Sequence, residues 1–202
     1  MSGAVVRDRR AERNEQTRRE ILDAAWDLVR AEGLGALAMR DLGARVGMRA
    51  QSLYSYFPSK HAIFDAMFAD ANRELLRRSD ALERTGDADD HLHREARLWV
   101  GFAVEDPVRY QLLYQRTIPG FEPSPESFQL AGQALERVRA TLTACGITGP
   151  LVLDVWTAVT GGLAAQQTSN EPGGDRWFRL VDEVTDTYLD HYRDRRPGGR
   201  NE

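Results

Sequence analysis

Apolar residues recur at helical spacing along most of this chain, and no segment alternates apolar and polar residues for long enough to form a strand. Glycine and proline residues divide the pattern into segments, among them Gly33, Gly47, Pro58, Pro107 and Pro125. With 202 residues, 42% of them hydrophobic, the chain is long enough to bury a core. The pattern therefore predicts an all-α protein with about nine helices.

Four of these helices lie in the first half of the chain. The first is predicted over residues 11–32, the second over 39–46, and the third from after Arg49 to Pro58. Ser59 is a suitable N-cap for a long fourth helix that reaches about residue 84. The first three helices are predicted to form a compact unit.

The second and third helices have the spacing of a helix-turn-helix. A turn at Gly47 separates them, and Gly43 lies where they would have to cross closely. In a helix-turn-helix the second helix enters the major groove of DNA. Many helical hairpins share this spacing, so the spacing alone does not decide between DNA binding and simple packing.

The three helices that follow the first each begin with a basic residue. Arg40 lies at the start of the second helix, Arg49 at the N-cap of the third and Lys60 at the start of the fourth. A helix N-terminus favours acids, so each cation costs about 0.3–1 kcal/mol when no anion is near. DNA phosphates bind helix N-termini and cations together. One such cation is an ordinary solvated side chain, but three in succession favour a phosphate-binding surface.

The exposed face of the third helix carries groups that can contact bases or phosphates, namely Ala50, Gln51, Ser52, Tyr54, Ser55 and Tyr56. The Gln51 amide suits adenine, and hydroxyl groups can reach bases or phosphates. Either tyrosine can instead pack against the first helix. We expect Tyr56 to contact a phosphate and leave the role of Tyr54 open.

The net charge of −4 argues against a nucleic-acid partner, but the charges are unevenly distributed. Residues 1–60 carry eleven basic and eight acidic side chains, a net charge of +3, and the remainder carries −7. Lys60 is the only lysine. This asymmetry indicates a basic N-terminal part that meets an anionic partner and an acidic remainder with another role.

Later helices are predicted to begin near Pro107 and Pro125, and two more span about 151–168 and 175–192. The last two are rich in apolar residues, so they are either buried internally or form half of an intermolecular four-helix bundle. Eight residues are candidates for that dimer interface: Val152, Val155, Val159, Leu163, Trp177, Val181, Val184 and Tyr188.

The middle helices carry large aromatic residues that line either a ligand pocket or the core. Pockets are mostly apolar and contain a few polar groups that orient the ligand. The candidates for ligand binding are Trp99, Phe102, Tyr110, Leu113, Tyr114, Phe121, Trp156 and Thr160.

The segment from Thr17 to Met67, and above all the run LYSYFPSK from Leu53 to Lys60, closely resembles the DNA-binding domain of the TetR family of transcriptional regulators. The resemblance implies that Thr17 and Arg18 approach the DNA backbone, that Arg40 and Lys60 bind phosphates, and that residues 49–56 face the groove. It also implies a homodimer whose last two helices form a four-helix bundle. Such regulators are usually repressors, released from a palindromic operator by a small molecule.

We therefore predict a helix-turn-helix domain in residues 1–64, a helical regulatory and dimerisation domain in 65–194 and a disordered tail in 195–202. The predicted protein is a cytoplasmic, homodimeric regulator of double-stranded DNA that responds to a small apolar or amphipathic effector. An effector-independent DNA-binding protein is the alternative. No catalytic constellation, cofactor motif, metal-ligand cluster or membrane-spanning segment is expected, since the chain has one cysteine and no nucleophile or phosphate-loop motif.

Overall fold

A computed structural model describes residues 9–83 and 86–194, and this part of the chain contains helices and no strand. The α-helices are α1 (Arg9–Glu32), α2 (Met39–Arg45), α3 (Ala50–Leu53), α4 (Lys60–Asp80), α5 (Ala88–Glu105), α6 (Pro107–Tyr114), α7 (Pro125–Ala144), α8 (Val152–Asn170) and α9 (Val181–Asp194). Short 3-10 helices span Leu34–Ala36 and Phe178–Leu180. The predicted all-α class and the predicted number of helices are confirmed.

Side-chain caps fix where several helices begin. The Ser59 hydroxyl accepts a hydrogen bond from Ala62 N at 3.0 Å at the start of α4. Asp106 and Ser124 cap α6 and α7 in the same way, each followed by a proline. α4 ends at Asp80, earlier than the predicted residue 84.

α3 is shorter than predicted, because regular helix ends at Leu53. The N–H groups of Tyr56 and Phe57 both donate to the Leu53 carbonyl at 2.9 Å, which closes a turn in place of another helical turn. Pro58 keeps Phe57 out of a continued helix, since a proline disfavours helical geometry in the residue before it.

One hydrophobic core joins α1 to α4. Ile21, Leu42, Leu53 and Phe64 are fully buried within it, and Leu112 of α6 belongs to the same cluster. α6 therefore packs directly on the N-terminal helices. The domain boundary after residue 64 remains a prediction.

A second core is built by α5, α7, α8 and α9. Trp156 and Tyr188 pack edge to face with ring centroids 5.0 Å apart, and the Tyr188 hydroxyl donates to the Val152 carbonyl at 2.6 Å. Leu163 and Val181 are also buried in this cluster. Val152, Leu163, Val181 and Tyr188 were predicted to lie in a dimer interface. The chain's own helices bury all four, and their contact with a second chain remains a prediction.

The last helix also begins later than predicted. Regular helix starts at Val181, and the segment before it contains a 3-10 turn. The buried Gln167 side chain stabilises this approach, since its Oε1 accepts hydrogen bonds from Trp177 N at 2.8 Å and Phe178 N at 3.1 Å. The polar Gln167 on an otherwise apolar helix face is the sequence signal for this contact.

Within residues 9–83 and 86–194, no helix is both long and apolar enough to cross a bilayer. The same part of the chain has no group of three His, Cys, Asp or Glu side chains placed to hold a metal ion. The predicted tail, residues 195–202, lies outside the described residues.

Candidate functional site

The crossing of α2 and α3 depends on the absence of a side chain at Gly43. A Cβ atom there would lie 2.8 Å from the Met48 carbonyl oxygen and 3.3 Å from Ala50 N. The Met48 N–H donates to the Gly43 carbonyl at 2.8 Å, which fixes the turn. Gly47 adopts a φ of 66° in this turn, a conformation that suits glycine. The predicted helix-turn-helix crossing at Gly43 is confirmed.

The inner side of α3 is held by buried apolar residues. Leu53 and Phe57, which are 0% and 2% exposed, pack into the same core as Leu42 of α2. Because these anchors face inward, the opposite side of α3 faces solvent. Gln51 and Ser52 of α3 are exposed, as are Tyr54 and Ser55 of the turn that follows it, and Ala50 is half-buried.

The three basic residues lie where the sequence predicted them. The Arg40 side chain is 94% exposed, and its nearest acid is the adjacent Asp41, with Arg40 Nε 3.8 Å from Asp41 Oδ1. Arg49 is the exposed N-cap of α3 and forms no side-chain cap. Among the described residues Arg49 has no ion pair. The Lys60 Nζ lies 5.5 Å from the Phe64 ring centroid, and the first turn of α4 contains no acid.

These three positive charges therefore meet little opposing charge from the protein. A cation at a helix N-terminus is unfavourable when it is unanswered, so the surface as a whole favours an approaching anion. A polyanion such as duplex DNA can contact all three helix ends together.

Arg18 and Thr17 make contacts within the protein. An Arg18 guanidinium N–H donates to the Tyr56 carbonyl, and the guanidinium carbon lies 4.3 Å from the Phe57 ring centroid. Thr17 Oγ1 donates to the Arg13 carbonyl at 3.0 Å. Arg18 thus holds the turn after α3 in place, and contact of Thr17 or Arg18 with the DNA backbone remains a prediction.

The two tyrosines of the candidate DNA surface differ in exposure. Tyr54 is 46% exposed, whereas Tyr56 is half-buried and packs against the core beneath α3. The sequence favoured Tyr56 as the phosphate contact and left Tyr54 open. Tyr54 is the more accessible of the two, and contact of either with phosphate remains a prediction.

A cavity of about 820 Å³ lies among the middle helices. Six predicted ligand-binding residues line it: Trp99, Tyr110, Leu113, Tyr114, Phe121 and Thr160. Tyr114 is 47% exposed, but it borders the cavity, and desolvation by the surrounding protein raises the pKa of its phenol. Burial also raises the pKa of Tyr110. Both phenols are therefore uncharged at neutral pH.

Phe102 and Trp156 were predicted to contact a ligand, but neither lines the cavity. Phe102 is 1% exposed, and the Arg109 guanidinium carbon lies 3.5 Å from its ring centroid. Trp156 is 2% exposed and packs on Tyr188. Both are core residues, because neighbouring side chains of this chain already occupy their faces.

Asn72 of α4, which was not among the predicted residues, lines the cavity and is only 3% exposed. Its Nδ2 donates to the Phe68 carbonyl at 2.9 Å. Phe68, one helical turn earlier, also lines the cavity. A polar residue four positions after a phenylalanine, on an otherwise buried face of α4, is the signal that could have revealed it.

The cavity wall contacts the first turns of α4. Phe121, which lines the cavity, lies with its ring centroid 5.8 Å from that of Phe64 and 6.0 Å from that of His61. Asp65 anchors the same loop, because its Oδ1 accepts from Ser124 N at 2.7 Å. The cavity and the Lys60 end of α4 are therefore separated by two aromatic rings, those of Phe121 and Phe64.

α8 has an apolar strip on its outer side. Leu151 and Val155 are 63% and 39% exposed, and the small residues Ala158 and Gly162 continue the strip on successive turns. Val159, Trp177 and Val184 from the predicted interface are half-buried. The open apolar surface of α8 thus centres on Val155 and includes Leu151, which was not among the predicted interface residues.

Comparison with known proteins identifies relatives of both the N-terminal segment and the whole fold. The family model for bacterial regulatory proteins of the tetR family matches residues 21–67. HTH-type transcriptional regulator Rv1816 of Mycobacterium tuberculosis is 28% identical over 138 residues, 65% of this chain and 57% of the relative. HTH-type transcriptional repressor Rv1353c of the same species is 26% identical over 151 residues, 75% of this chain and 56% of the relative. The chain thus matches little more than half the length of these curated relatives, which are named as regulators rather than enzymes.

Solved structures share the fold over most of the chain. A tetR-family transcriptional regulator from Streptomyces coelicolor superposes with a TM-score of 0.70 at 18% identity, covering 89% of this chain and 82% of that one. PfmR, a TetR family transcriptional regulator from Thermus thermophilus, gives a TM-score of 0.63 at 22% identity, covering 84% of this chain and 97% of that one. At these identities the likeness concerns the fold alone. Residues 21–67 are therefore similar to the tetR family of bacterial regulatory proteins in sequence, and most of the chain is similar to these solved regulators in fold.

Proposed function

We propose that this protein is a transcriptional repressor that binds a palindromic DNA operator as a homodimer and is released by a small apolar or amphipathic molecule. The observation that carries the proposal is the surface formed by Arg40, Arg49 and Lys60. These residues begin or cap three successive helices around an exposed face of α3, and the protein itself offers them little negative charge. A recognition helix in the major groove with cations on the flanking phosphates requires this arrangement.

The apolar strip on α8 supports the homodimer. An exposed leucine, an exposed valine and small residues on successive turns allow close approach of a second helix of the same kind. A symmetric pair of such helices presents two copies of α3, and these must lie about 34–36 Å apart to read successive major grooves. The operator is therefore expected to be an inverted repeat.

The cavity supports control by a small molecule. Its volume of about 820 Å³ is in the range of about 300–1,000 Å³ typical of ligand pockets. Phe121 connects its wall to Phe64 and thus to the start of α4. Suppose that α4 can take two positions in the dimer and that only one of them suits DNA binding. A ligand that binds more tightly to the chain in one position then shifts the population of DNA-competent dimers.

The repressor role is supported by the name of the relative Rv1353c, an HTH-type transcriptional repressor. The alternative, an effector-independent DNA-binding protein, leaves a cavity of this size without a role. Thermal melts in the presence of candidate ligands separate the two. A ligand that binds the native state raises the melting temperature once its concentration exceeds its Kd.

Selection of bound sequences from a random duplex pool tests the DNA-binding proposal directly. The full chain is expected to enrich an inverted repeat with half-sites centred about 10 base pairs apart or a multiple of that spacing. Binding of the enriched duplex is then measured by fluorescence anisotropy at several salt concentrations, against a scrambled duplex as control. Either of two results would contradict the proposal: that no sequence is enriched, or that the enriched and scrambled duplexes bind with equal affinity.

A further inference from the structure

We propose that the cavity takes an uncharged, flat aromatic ligand that carries one hydrogen-bonding group; this refinement rests on the ligand-responsive function proposed above. The charge of the cavity wall, its aromatic surface and its free hydrogen-bonding groups support this refinement.

The charge of the wall excludes an ionised ligand from the interior. Arg116 and Glu122 are the charged residues among the described cavity-lining residues, and both are exposed. The buried polar residues of the wall, Asn72 and Thr160, are 3% and 8% exposed and carry no charge. A charge placed deep in the cavity would lose its hydration and find no counter-ion, which costs far more than burial of a neutral group.

The aromatic side of the wall suits a flat ring system. The Tyr110 and Tyr114 rings lie 5.5 Å apart between centroids, and the Trp99 and Tyr114 rings lie 6.5 Å apart. The pairs are tilted by 44° and 41° respectively, so the three rings form a continuous but angled surface. Aromatic side chains of this kind pack well against a ligand ring in offset or edge contacts.

The hydrogen-bonding groups of the wall suit a hydroxyl or carbonyl group. The Thr160 hydroxyl already donates to the Trp156 carbonyl at 2.9 Å, so it offers a ligand only its acceptor lone pairs. Asn72 uses one N–H on the Phe68 carbonyl, which leaves its second N–H and its Oδ1 for a ligand. A ligand hydroxyl can therefore be recognised at either residue without displacing a bond within the protein.

Three pyrene derivatives of equal size test the inference. The probes are 1-pyrenemethanol, 1-pyrenecarboxylate and 1-pyrenemethylammonium, which share one ring system and differ in charge. Each is titrated with the full chain at neutral pH in the absence of DNA, and binding is followed by pyrene fluorescence. The alcohol is expected to bind at least about 10-fold more tightly than either ion, because the cavity supplies no buried counter-charge.

Substitution of the polar residues locates the hydroxyl group. Thr160→Val and Asn72→Leu keep the approximate volume, and at least one of them is expected to weaken binding of 1-pyrenemethanol about 3- to 10-fold. Thr185→Val is the matched control. Thr185 is 1% exposed, donates to the Val181 carbonyl at 2.8 Å as Thr160 does to Trp156, and does not line the cavity.

Three results would overturn the inference: an ion that binds as tightly as the alcohol, no binding by any of the three probes, or an equal effect of Thr185→Val and both cavity variants. Because DNA is absent from the measurement, its outcome is independent of the DNA-binding proposal. A chain that binds 1-pyrenemethanol with the expected selectivity but binds no duplex would overturn the proposed function and leave the cavity assignment in place.

Discussion

Arg30 and Asp106 join the N-terminal helices to the cavity helices through one hydrogen-bonded ion pair. Arg30 Nε donates to Asp106 Oδ2 at 2.8 Å, from the last turn of α1 to the residue that caps α6. The other carboxylate oxygen of Asp106 accepts from Arg109 N at 3.0 Å. One nearly buried carboxylate therefore both begins α6 and ties it to α1.

Arg30→Ala is expected to lower the free energy of unfolding by about 1 kcal/mol, because the Asp106 carboxylate loses its ion-pair partner. The effect is no larger because the Arg30 side chain is partly exposed to solvent, which weakens the ion pair. At this chain length that corresponds to a decrease of about 2–4 °C in Tm. Thermal melts measure the change. Arg139→Ala, which removes an exposed pair with Glu136 at 3.4 Å, is the control and is expected to leave Tm nearly unchanged. Equal effects of the two substitutions would show that the α1–α6 pair has no special value.

Gly43→Ala is expected to destabilise the helix-turn-helix by about 1–3 kcal/mol, the usual range for overpacking. Alanine normally stabilises a helix relative to glycine by about 1 kcal/mol, but here its Cβ would meet a backbone carbonyl at 2.8 Å that cannot move without opening the turn. Gly132→Ala in α7 is the matched control, because no atom lies within 4 Å of its added Cβ. Urea denaturation should show opposite signs for the two variants. A Gly43→Ala protein as stable as the parent would contradict the crossing geometry.

Arg40→Ala and Lys60→Ala are each expected to weaken DNA binding for all sequences, because phosphates carry no sequence information. Each should also reduce the slope of log K against log salt concentration by about 1. Gln51→Ala should instead change the enriched sequence. Anisotropy titrations at several salt concentrations make the measurement, with Arg139→Ala as the control for a lost surface charge. An unchanged salt slope after both substitutions would remove the phosphate-contact assignment.

Val155→Asp is expected to dissociate the proposed dimer, because it places two buried like charges at the symmetric contact of α8. Sedimentation velocity should show a monomer, and affinity for an inverted-repeat duplex should fall by more than about 10-fold as the second half-site contact is lost. Gln133→Asp, on the exposed side of α7, adds the same charge elsewhere. If Val155→Asp sediments like the parent protein, α8 does not form the interface.

Glu95 introduces a dependence of stability on pH. Its side chain is 1% exposed, its Oε2 has no hydrogen-bond partner among the described residues, and burial raises its pKa above the ordinary 4.5. The folded chain therefore binds this proton more tightly than the unfolded chain, so stability is lost as the pH rises above 4.5 toward the folded-state pKa.

Glu95→Gln keeps the shape of the neutral acid and removes the loss of stability that Glu95 causes at higher pH. The variant is expected to melt at least about 2 °C above the parent at pH 8 and close to it at pH 4. The exposed Glu136→Gln serves as the control at both pH values. A difference between variant and parent that does not change with pH would mean that folding does not raise the pKa of Glu95.

The sequence predicted features that depend on neighbouring residues along the chain. Ser59 caps α4 as predicted, α6 and α7 begin at the predicted Pro107 and Pro125, and Gly43 lies at the helix crossing. A cap or a tight crossing requires particular residue types at fixed offsets, so the signal is local. The positions of Arg40, Arg49 and Lys60 at helix starts follow from the same logic.

Features that depend on which neighbour covers a face were harder to predict. Trp99 and Phe102 are three residues apart on α5, yet one lines the cavity while Arg109 covers the other. On α8 the apolar residues surround much of the helix, so the pattern cannot distinguish the face of Val152, covered by Tyr188, from the open face of Val155. Which side of a helix is covered is determined by contacts between residues distant in sequence.

The contact between Phe121 and Phe64 has a consequence for how this protein can evolve. Phe121 forms part of the cavity wall, and Phe64 lies beneath the ammonium group of Lys60. A substitution at Phe121 that adapts the cavity to a new molecule also changes the support of a basic residue on the candidate DNA surface. Under the proposed function, mutations at this position that broaden the ligand range are therefore coupled to changes in DNA affinity, whereas those at Trp99 or Thr160, on α5 and α8, have no such direct contact.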